Sequence, residues 1–520
     1  MLSLGQRLKM ARKRRGLSQR EAGRLAGVGE KSLSRYETGR SDPSPAVLSR
    51  LARLYDVSGE FLLGNTQELG STKELPDLVQ GEDLVTMSDY RELAKRLIGF
   101  ISGSPSKFHA IYQIALMLEN RGYIRLDESG EWELSPGGSY YVTRNQSSLI
   151  AFRIPREGPA GFNIIAAHCD SPTYRIKPEP EIASPGGLIK INIERYGGMI
   201  PSSWLDRPLS AAGRLTVLSG GGLTSRLVNI DRDLMVIPSV AIHMQRGQES
   251  PALNPQVDML PIIGGEDAKG SLLRLAAESA GVGEKDILSS ELYLYQRQRG
   301  CLIGTNDELI LSPQLDDLQG VYSSLRGFIA AEESESAPVL AVFDNEEVGS
   351  STRQGAASDF LELTLKRIAD AAKKPYAPLL ASSFVISTDN AHAVHPNHPE
   401  LADPVVRPRI NGGIVIKQNG NQRYATDAVS EGVMRLICRR AGVPVQTYVN
   451  RSDIPGGSTL GNILASRVSV KTVDIGLAQL AMHSSFETAG ACDSLYLARA
   501  AAEFYRTKIV CGRDGEIALG

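Results

Sequence analysis

Along the first 64 residues, apolar positions recur at the three-to-four residue spacing of a helix with one buried face. Leu4, Leu8 and Ala11 trace one such stripe, which Gly16 stops. Ser18 and Glu21 in Leu17-Ser-Gln-Arg-Glu21 have the spacing of a capping box, so a second helix is expected to about Ala26. Gly27-Val28 makes a turn, and Gly29 to Glu37 form a third helix with Leu33 and Tyr36 inward. Pro45 to Tyr55 form a fourth, with Val47, Leu48, Leu51 and Leu54 inward. The period is lost over residues 65–85, where Gly, Pro, Ser, Thr and acidic residues predominate, as in a linker.

Beyond the linker, short apolar runs alternate with amphipathic stretches. Asn163 to Ala167, Val339 to Phe343, Phe384 to Ser387, Val445 to Val449 and Thr472 to Ile475 read as buried strands. Leu318 to Ala331, Leu361 to Ala372, Asp427 to Ala441 and Ala491 to Tyr505 read as helices. Such alternation argues an α/β sheet with helices on both faces. Residues 177–310 differ: Leu188 to Ile193, Arg214 to Val217 and Leu234 to Ile237 are short strand-like runs among many glycines, with no long amphipathic helix until about Leu272. The expected organisation is a multidomain chain, with an all-α domain (1–64), a linker (65–85), an α/β domain (86–176 and 311–520) and a β-rich insertion (177–310).

Composition fits this division, because 520 residues exceed what one hydrophobic core usually organises. No apolar run follows Met1 and no stretch of about 18 apolar residues occurs, so neither a signal peptide nor a membrane span is expected, and the location is expected to be cytoplasmic. Five scattered cysteines without a Cys-x-x-Cys spacing fit reduced thiols, with Cys169 a small buried filler. Charge divides the chain: residues 1–64 hold 13 Lys+Arg against 6 Asp+Glu, and the remainder 44 against 53. A basic head precedes an acidic body.

The chemistry concentrates in Asp344-Asn-Glu-Glu-Val-Gly349, with His168-Cys-Asp170, Asp316-Asp317, Asp389 and His483 elsewhere. One carboxylate of an adjacent pair can hold a metal while its neighbour handles a proton, as two-metal hydrolases require. An isolated Glu-Glu pair is ordinarily a solvated surface, but Glu346-Glu347 follows a buried strand. His168 and Asp389 likewise fall just beyond expected strand ends, where ligands of α/β sheets collect. Asp316 can serve as helix N-cap as well as ligand. His392, His395 and His398 form a second cluster, but Pro396 and Pro399 argue against a helix presenting them on one face.

Residues 4–64 resemble phage-repressor helix-turn-helix domains, through the Leu17-Ser-Gln-x-Glu opening and the Tyr36-Glu-x-Gly39 close. That resemblance implies Gln19, Glu30, Lys31 and Arg35 facing the base edges of double-stranded DNA, and Arg12, Lys13, Arg14 and Arg15 facing its phosphates. A helical docking or oligomerisation module is the alternative.

Residues 86–508 resemble the aspartyl aminopeptidases, cocatalytic zinc exopeptidases. The match runs in order through Phe108-His-Ala, His168-Cys-Asp-Ser-Pro, Trp204-Leu-Asp-Arg, Gln314-Leu-Asp-Asp and Phe343-Asp-Asn-Glu-Glu-Val-Gly-Ser. It continues through Asp389-Asn-Ala-His-Ala-Val-His-Pro-Asn, Lys417-Gln-Asn-Gly-Asn-Gln-Arg-Tyr-Ala-Thr, Gly457-Ser-Thr-Leu-Gly and Ala481-Met-His-Ser.

The resemblance implies a phosphorylase/hydrolase-like α/β catalytic domain whose inserted β-rich domain dimerises, in a homo-oligomer that reaches a dodecamer in the family. It implies two Zn²⁺ per subunit, with Co²⁺ or Mn²⁺ as substitutes. His168 and Asp389 would hold one ion, Glu347 and His483 the other, and Asp316 would bridge. Glu346 would be the general base, with Asp170 accepting the His168 ring proton. His243 would reach a neighbouring subunit's site to stabilise an oxyanion, while Lys417, Gly457, Ser458 and Thr459 would face the substrate, a peptide with an acidic N-terminal residue. Asn345, Pro208, Gly456, Asn462 and Leu401-Ala402 depart from the family pattern, and these departures bear on the acidic preference rather than on any ligand. The competing hypothesis is a transcription regulator whose peptidase-like body acts as ligand sensor and oligomerisation scaffold.

Overall fold

The computed structural model describes residues 3–15, 17–26, 28–43, 45–55, 57, 62, 89–244 and 252–520. Gly16, Gly27 and the expected linker lie outside the described residues.

The head is built of helices Leu4–Arg14, Gln19–Leu25, Glu30–Glu37 and Pro45–Tyr55. Their apolar faces meet in one core around Leu8, Ala11, Ala22, Leu33, Leu51 and Tyr55. Only half of the expected capping box forms: the Glu21 N–H donates to Ser18 Oγ at 3.1 Å, while the Glu21 side chain stays exposed. A reciprocal box stands instead at Ser3 and Gln6, capping the first helix. Arg12 also departs from the expected phosphate-facing role. It is buried, with Nε and Nη2 at 2.5 and 2.9 Å from the two oxygens of Glu37 and Nη1 donating to the Leu17 carbonyl at 2.7 Å.

The body is organised by a nine-stranded mixed sheet. Its spatial order is Ile124–Leu126, Ser139–Arg144, Ser148–Arg153, Ala337–Phe343, Phe162–His168, Phe384–Thr388, Lys471–Gly476, Ile414–Lys417 and Val445–Tyr448. The four strands from Ala337–Phe343 to Lys471–Gly476 are mutually parallel, with Phe343 opposite His168 and Thr388 opposite Ile475. Their C-terminal ends therefore open on one edge, where α/β sheets collect ligands. Alternation along each strand feeds two cores: Ile165 and Ala167 face one side with Leu340 and Val342, whereas Ile164 and Ala166 face the other with Val339 and Ala341. Helices Leu315–Ala330 and Ala491–Arg506 pack in the first core, and Phe360–Ala371 and Leu460–Val468 in the second.

A six-stranded antiparallel sheet drawn from Thr173–Ser184, Leu188–Tyr196, Leu209–Ser219, Gly222–Asn229, Ile262–Gly265 and Ile287–Gln296 encloses a core of its own. The expected strand Leu234 to Ile237 makes only isolated bridges, Met235 to Leu209 and Val236 to Ile262: its partner changes from one residue to the next, so no ladder forms. Cys301–Ile303, numbered within the expected insertion, pairs with Leu309–Ser312 at its end, which pairs in turn with Glu487–Gly490 in a five-stranded sheet that also holds Ala478–Leu480 and Ala391–His392. This small sheet ties the loop carrying His483 to the segment following Asp389.

Candidate metal centre

Each candidate ligand sits where regular structure ends. His168 closes its strand, Asp389 follows Thr388, and Glu346 and Glu347 occupy a short 3-10 turn just after Phe343. Asp316 and Asp317 have non-helical backbone angles that set them ahead of the helix running to Ala330. Three residues at these corners take the left-handed conformation: Gln314 (φ 57°), Asn345 (φ 64°) and His483 (φ 66°). For non-glycine residues that conformation costs about 1–2 kcal/mol each, and such strain persists where the surroundings over-determine it.

The side chains converge. His168 Nε2 lies 3.5 Å from Asp316 Oδ1 and 3.7 Å from Asp389 Oδ1. His483 Nε2 lies 3.4 Å from Asp316 Oδ2 and 3.4 Å from Glu347 Oε2. Asp316 thus offers one oxygen to each group, and His168 with Glu346 and Glu347 forms a third grouping of donor atoms within 4.8 Å of one another. Ligands held at about 2.0–2.1 Å on a tetrahedral zinc ion would stand about 3.3–3.4 Å apart, close to these separations. Buried Asp316 Oδ1 and Glu347 Oε1 have no hydrogen-bond partner. The donor set therefore fits a cation.

Protonation tells the same story. Burial, reinforced by Asp316, pushes Glu347 well above the ordinary carboxylate range, and burial raises Glu346 to about 7 against the opposing charge of His168. Burial disfavours charge on His168, but the neighbouring carboxylates of Asp170, Asp316 and Asp389 outweigh it and hold its pKa well above the ordinary value. Asp317, fully buried with both oxygens unpartnered, is also raised well above its usual range by burial. These groups compete for protons that a bound cation would displace.

Two further carboxylates hold the ligands' backbone. The Asp170 carboxylate accepts the N–H groups of Glu346 and Glu347 at 3.1 and 3.2 Å and the Tyr196 hydroxyl at 2.8 Å. His168 Nδ1 is nearer to the Asp170 main-chain carbonyl, at 3.0 Å, than to its carboxylate, at 3.6 Å. The expected ring-to-carboxylate bond is thus replaced by a ring-to-carbonyl bond, because the carboxylate is committed to the Glu346–Glu347 turn. Glu487 does the equivalent for the other corner, accepting the N–H groups of Asp316 at 3.0 Å and His483 at 2.8 Å. Burial, reinforced by Asp316, raises Glu487 to about 8. Sequence reasoning passed over Glu487; its position four residues after His483, opening the strand Glu487–Gly490, was the available signal.

Residues 100–505 match the family model Aminopeptidase I zinc metalloprotease (M18). The probable M18 family aminopeptidase 2 of Clostridium acetobutylicum is 46% identical over 431 residues, covering 81% of this chain and all of that protein. The chain belongs to the M18 aminopeptidase family. A Pseudomonas aeruginosa M18 family aminopeptidase 2 is 43% identical over 424 residues, covering 80% of this chain and 98% of that protein. Among solved structures, the Ape4 and Nbr1 complex aligns with TM-score 0.78 and 34% identity over 82% of this chain and 87% of that one. The S. cerevisiae mApe1 dodecamer aligns with TM-score 0.72 and 29% identity over 80% and 97%. Residues 3–62 match a helix-turn-helix domain.

The remaining candidates lie outside the converging donor groups. Lys417 is buried with Nζ 3.3 Å from Asp389 Oδ2. Gly457 and Ser458 are exposed, and Ser458 Oγ bonds Asn462 at 3.1 Å; their neighbour Thr459 is buried and anchored to Asp474 at 2.7 Å. His243 is exposed in a short turn between Ile242 (79% exposed) and Met244 (81%). His392, His395 and His398 join no metal-ligand grouping among the described residues. In the head, Glu30, Lys31 and Arg35 are exposed on the third helix, whereas the Gln19 amide donates to Glu37 at 2.8 Å. Among the described residues no helix is long and apolar enough to cross a membrane.

Proposed function

We propose that the chain is a dinuclear zinc aminopeptidase that removes N-terminal residues, Asp and Glu among them, from peptides. The carrying observation is Asp316, whose two oxygens face two separate donor groups, as a carboxylate bridging two ions would. Co²⁺ or Mn²⁺ suits the same oxygen and nitrogen donors. Bound there, the ions supply Lewis-acid polarisation of the scissile carbonyl and acidify water.

Glu346 is the base. Its backbone is pinned by Asp170 and its pKa stands near 7, so its carboxylate takes a proton from the attacking water and returns it to the leaving amine. With cations held by the neighbouring ligands, Glu346 would stay ionised at neutral pH. Lys417, whose ammonium stands 3.3 Å from Asp389 Oδ2, would meet an acidic substrate side chain. His243 of the partner subunit completes the site by stabilising the oxyanion, a reading supported by the exposed apolar residues flanking His243 and by dodecameric mApe1.

Zinc-loaded protein is expected to release acidic N-terminal residues, and Glu346→Gln to cut release about a hundredfold or more with zinc retained. Zero turnover across a panel of N-terminal residues would refute the enzyme. Mixed Glu346→Gln and His243→Ala subunits should recover activity that neither has alone; no recovery refutes the shared site.

A second reading concerns the head. Glu30, Lys31 and Arg35 leave one helix face free for double-stranded DNA, whereas Gln19 is held by Glu37 and serves the fold instead. Binding to genomic fragments at about 0.15 M salt should depend on Arg35. Unchanged binding by Arg35→Ala leaves the head a docking module.

A further inference from the structure

Two residues outside the ligand set meet at the back of the Glu346–Glu347 turn. Lys107 opens helix Lys107–Glu119, and Tyr196 closes strand Leu188–Tyr196 of the six-stranded sheet. The Lys107 side chain is 6% exposed; its Nζ stands 3.0 Å from Asp344 Oδ1, 3.4 Å from the Tyr196 hydroxyl, and over the rings of Tyr196 and Tyr293 at 4.7 and 5.1 Å. The Tyr196 hydroxyl has one proton to give. It goes to Asp170 Oδ2 at 2.8 Å, while Asp344 Oδ1 lies at 3.5 Å, and the same hydroxyl accepts Asn345 Nδ2–H at 2.8 Å.

These contacts surround the base's turn. Asp170 accepts the N–H groups of Glu346 and Glu347, and Asp344 accepts that of Asn345 at 2.7 Å. Asn345 sits left-handed at φ 64°, its Oδ1 accepting from Thr352 and Gln354 at 2.8 Å each. One residue beyond Tyr196, Gly197 (φ 77°) passes so near the turn that a Cβ there would lie 3.1 Å from that of Glu347. The six-stranded sheet thus touches the turn by hydrogen bond and by van der Waals contact.

We propose that Lys107 and Tyr196 are positioning residues for Glu346 and Glu347: Lys107 fixes the Asp344 carboxylate and the Tyr196 hydroxyl in place and Tyr196 orients Asp170, so the inserted sheet sets the geometry of base and ligand. The inference rests on the peptidase reading, but zinc affinity tests it without turnover. Outer partners of metal ligands typically cost about 10–100-fold in affinity or activity when removed.

The test uses the full chain loaded with zinc. Tyr196→Phe keeps the ring and removes the hydroxyl. It should lower kcat about tenfold or more with KM within about twofold, and weaken zinc about tenfold against a chromophoric chelator. Both quantities within twofold of wild type would overturn the role of Tyr196. Lys107→Met alone strands a buried carboxylate, so the informative variant is Lys107→Met with Asp344→Asn, which removes both charges together. A folded double variant with lowered kcat and weakened zinc supports the proposal; wild-type values show that Lys107 only neutralises a charge and overturn its part. If wild type cleaves no peptide, the peptidase reading fails, while weakened zinc in Tyr196→Phe still supports positioning.

Discussion

In the head, Arg12 and Glu37 are buried with their charged atoms engaged: both oxygens of Glu37 meet the guanidinium, the third guanidinium nitrogen bonds a carbonyl, and Gln19 adds a donor. In the body, His168, Asp316, Glu347, Asp389 and His483 are gathered with Asp316 Oδ1 and Glu347 Oε1 left without partners. Burying a charge costs several kcal/mol unless geometry and hydrogen bonds compensate. The head satisfies that condition within its own chain and gains a fixed packing of helices. The body does not, and the deficit marks where a cation belongs.

Removing the cation should have the largest effect. Stripped protein is expected to lose all peptidase activity and recover it on adding Zn²⁺, with metal content followed by mass spectrometry; activity persisting in metal-free protein breaks the comparison. The stripped body has Glu346 near 7 and Glu487 near 8, and His168 and His483 above the ordinary imidazole value. The folded state then holds more protons than the unfolded between about pH 5 and 8, so stability of the stripped protein falls as pH rises through that window. Metal displaces those protons, so the Tm gap between loaded and stripped protein should widen from pH 5.5 to 8. A constant gap contradicts the assignment.

Next in size is the base. Glu346→Gln should lower kcat by about 10²–10⁴-fold with the zinc content unchanged, as steady-state kinetics and metal analysis can establish. The head supplies the contrast: Arg12→Met leaves Glu37 buried and unpaired, which should cost the head about 3–5 kcal/mol in denaturant unfolding while kcat stays at the wild-type value. Ser18→Ala removes one cap from the same domain and should cost only about 1 kcal/mol. A kcat that followed either head variant would show that the two regions are not independent.

Much of this was legible in the sequence, because strands such as Phe162–His168 and Ala337–Phe343 are mostly apolar runs and helix periods are local properties. The resemblance to the aspartyl aminopeptidases likewise pointed to His168, Asp316, Glu346, Glu347, Asp389 and His483. What escaped were the partners of buried charge. Arg12 sits in a run of basic residues that reads as a solvated face, and only the return of Glu37, 25 residues later, buries it. Asp170 reaches Glu346 across 176 residues, and Glu487 reaches Asp316 across 171. Which of several possible partners a carboxylate takes is decided by tertiary approach, and neither period nor motif encodes that.

The most direct test of the unsatisfied centre is zinc stoichiometry in wild type and Asp316→Asn, measured by metal analysis of the folded chain after equilibration in a zinc buffer. Two ions per chain in wild type, falling to one or none in the variant, is the expected result. A single ion in wild type, or two retained in Asp316→Asn, would contradict a centre built around that shared carboxylate.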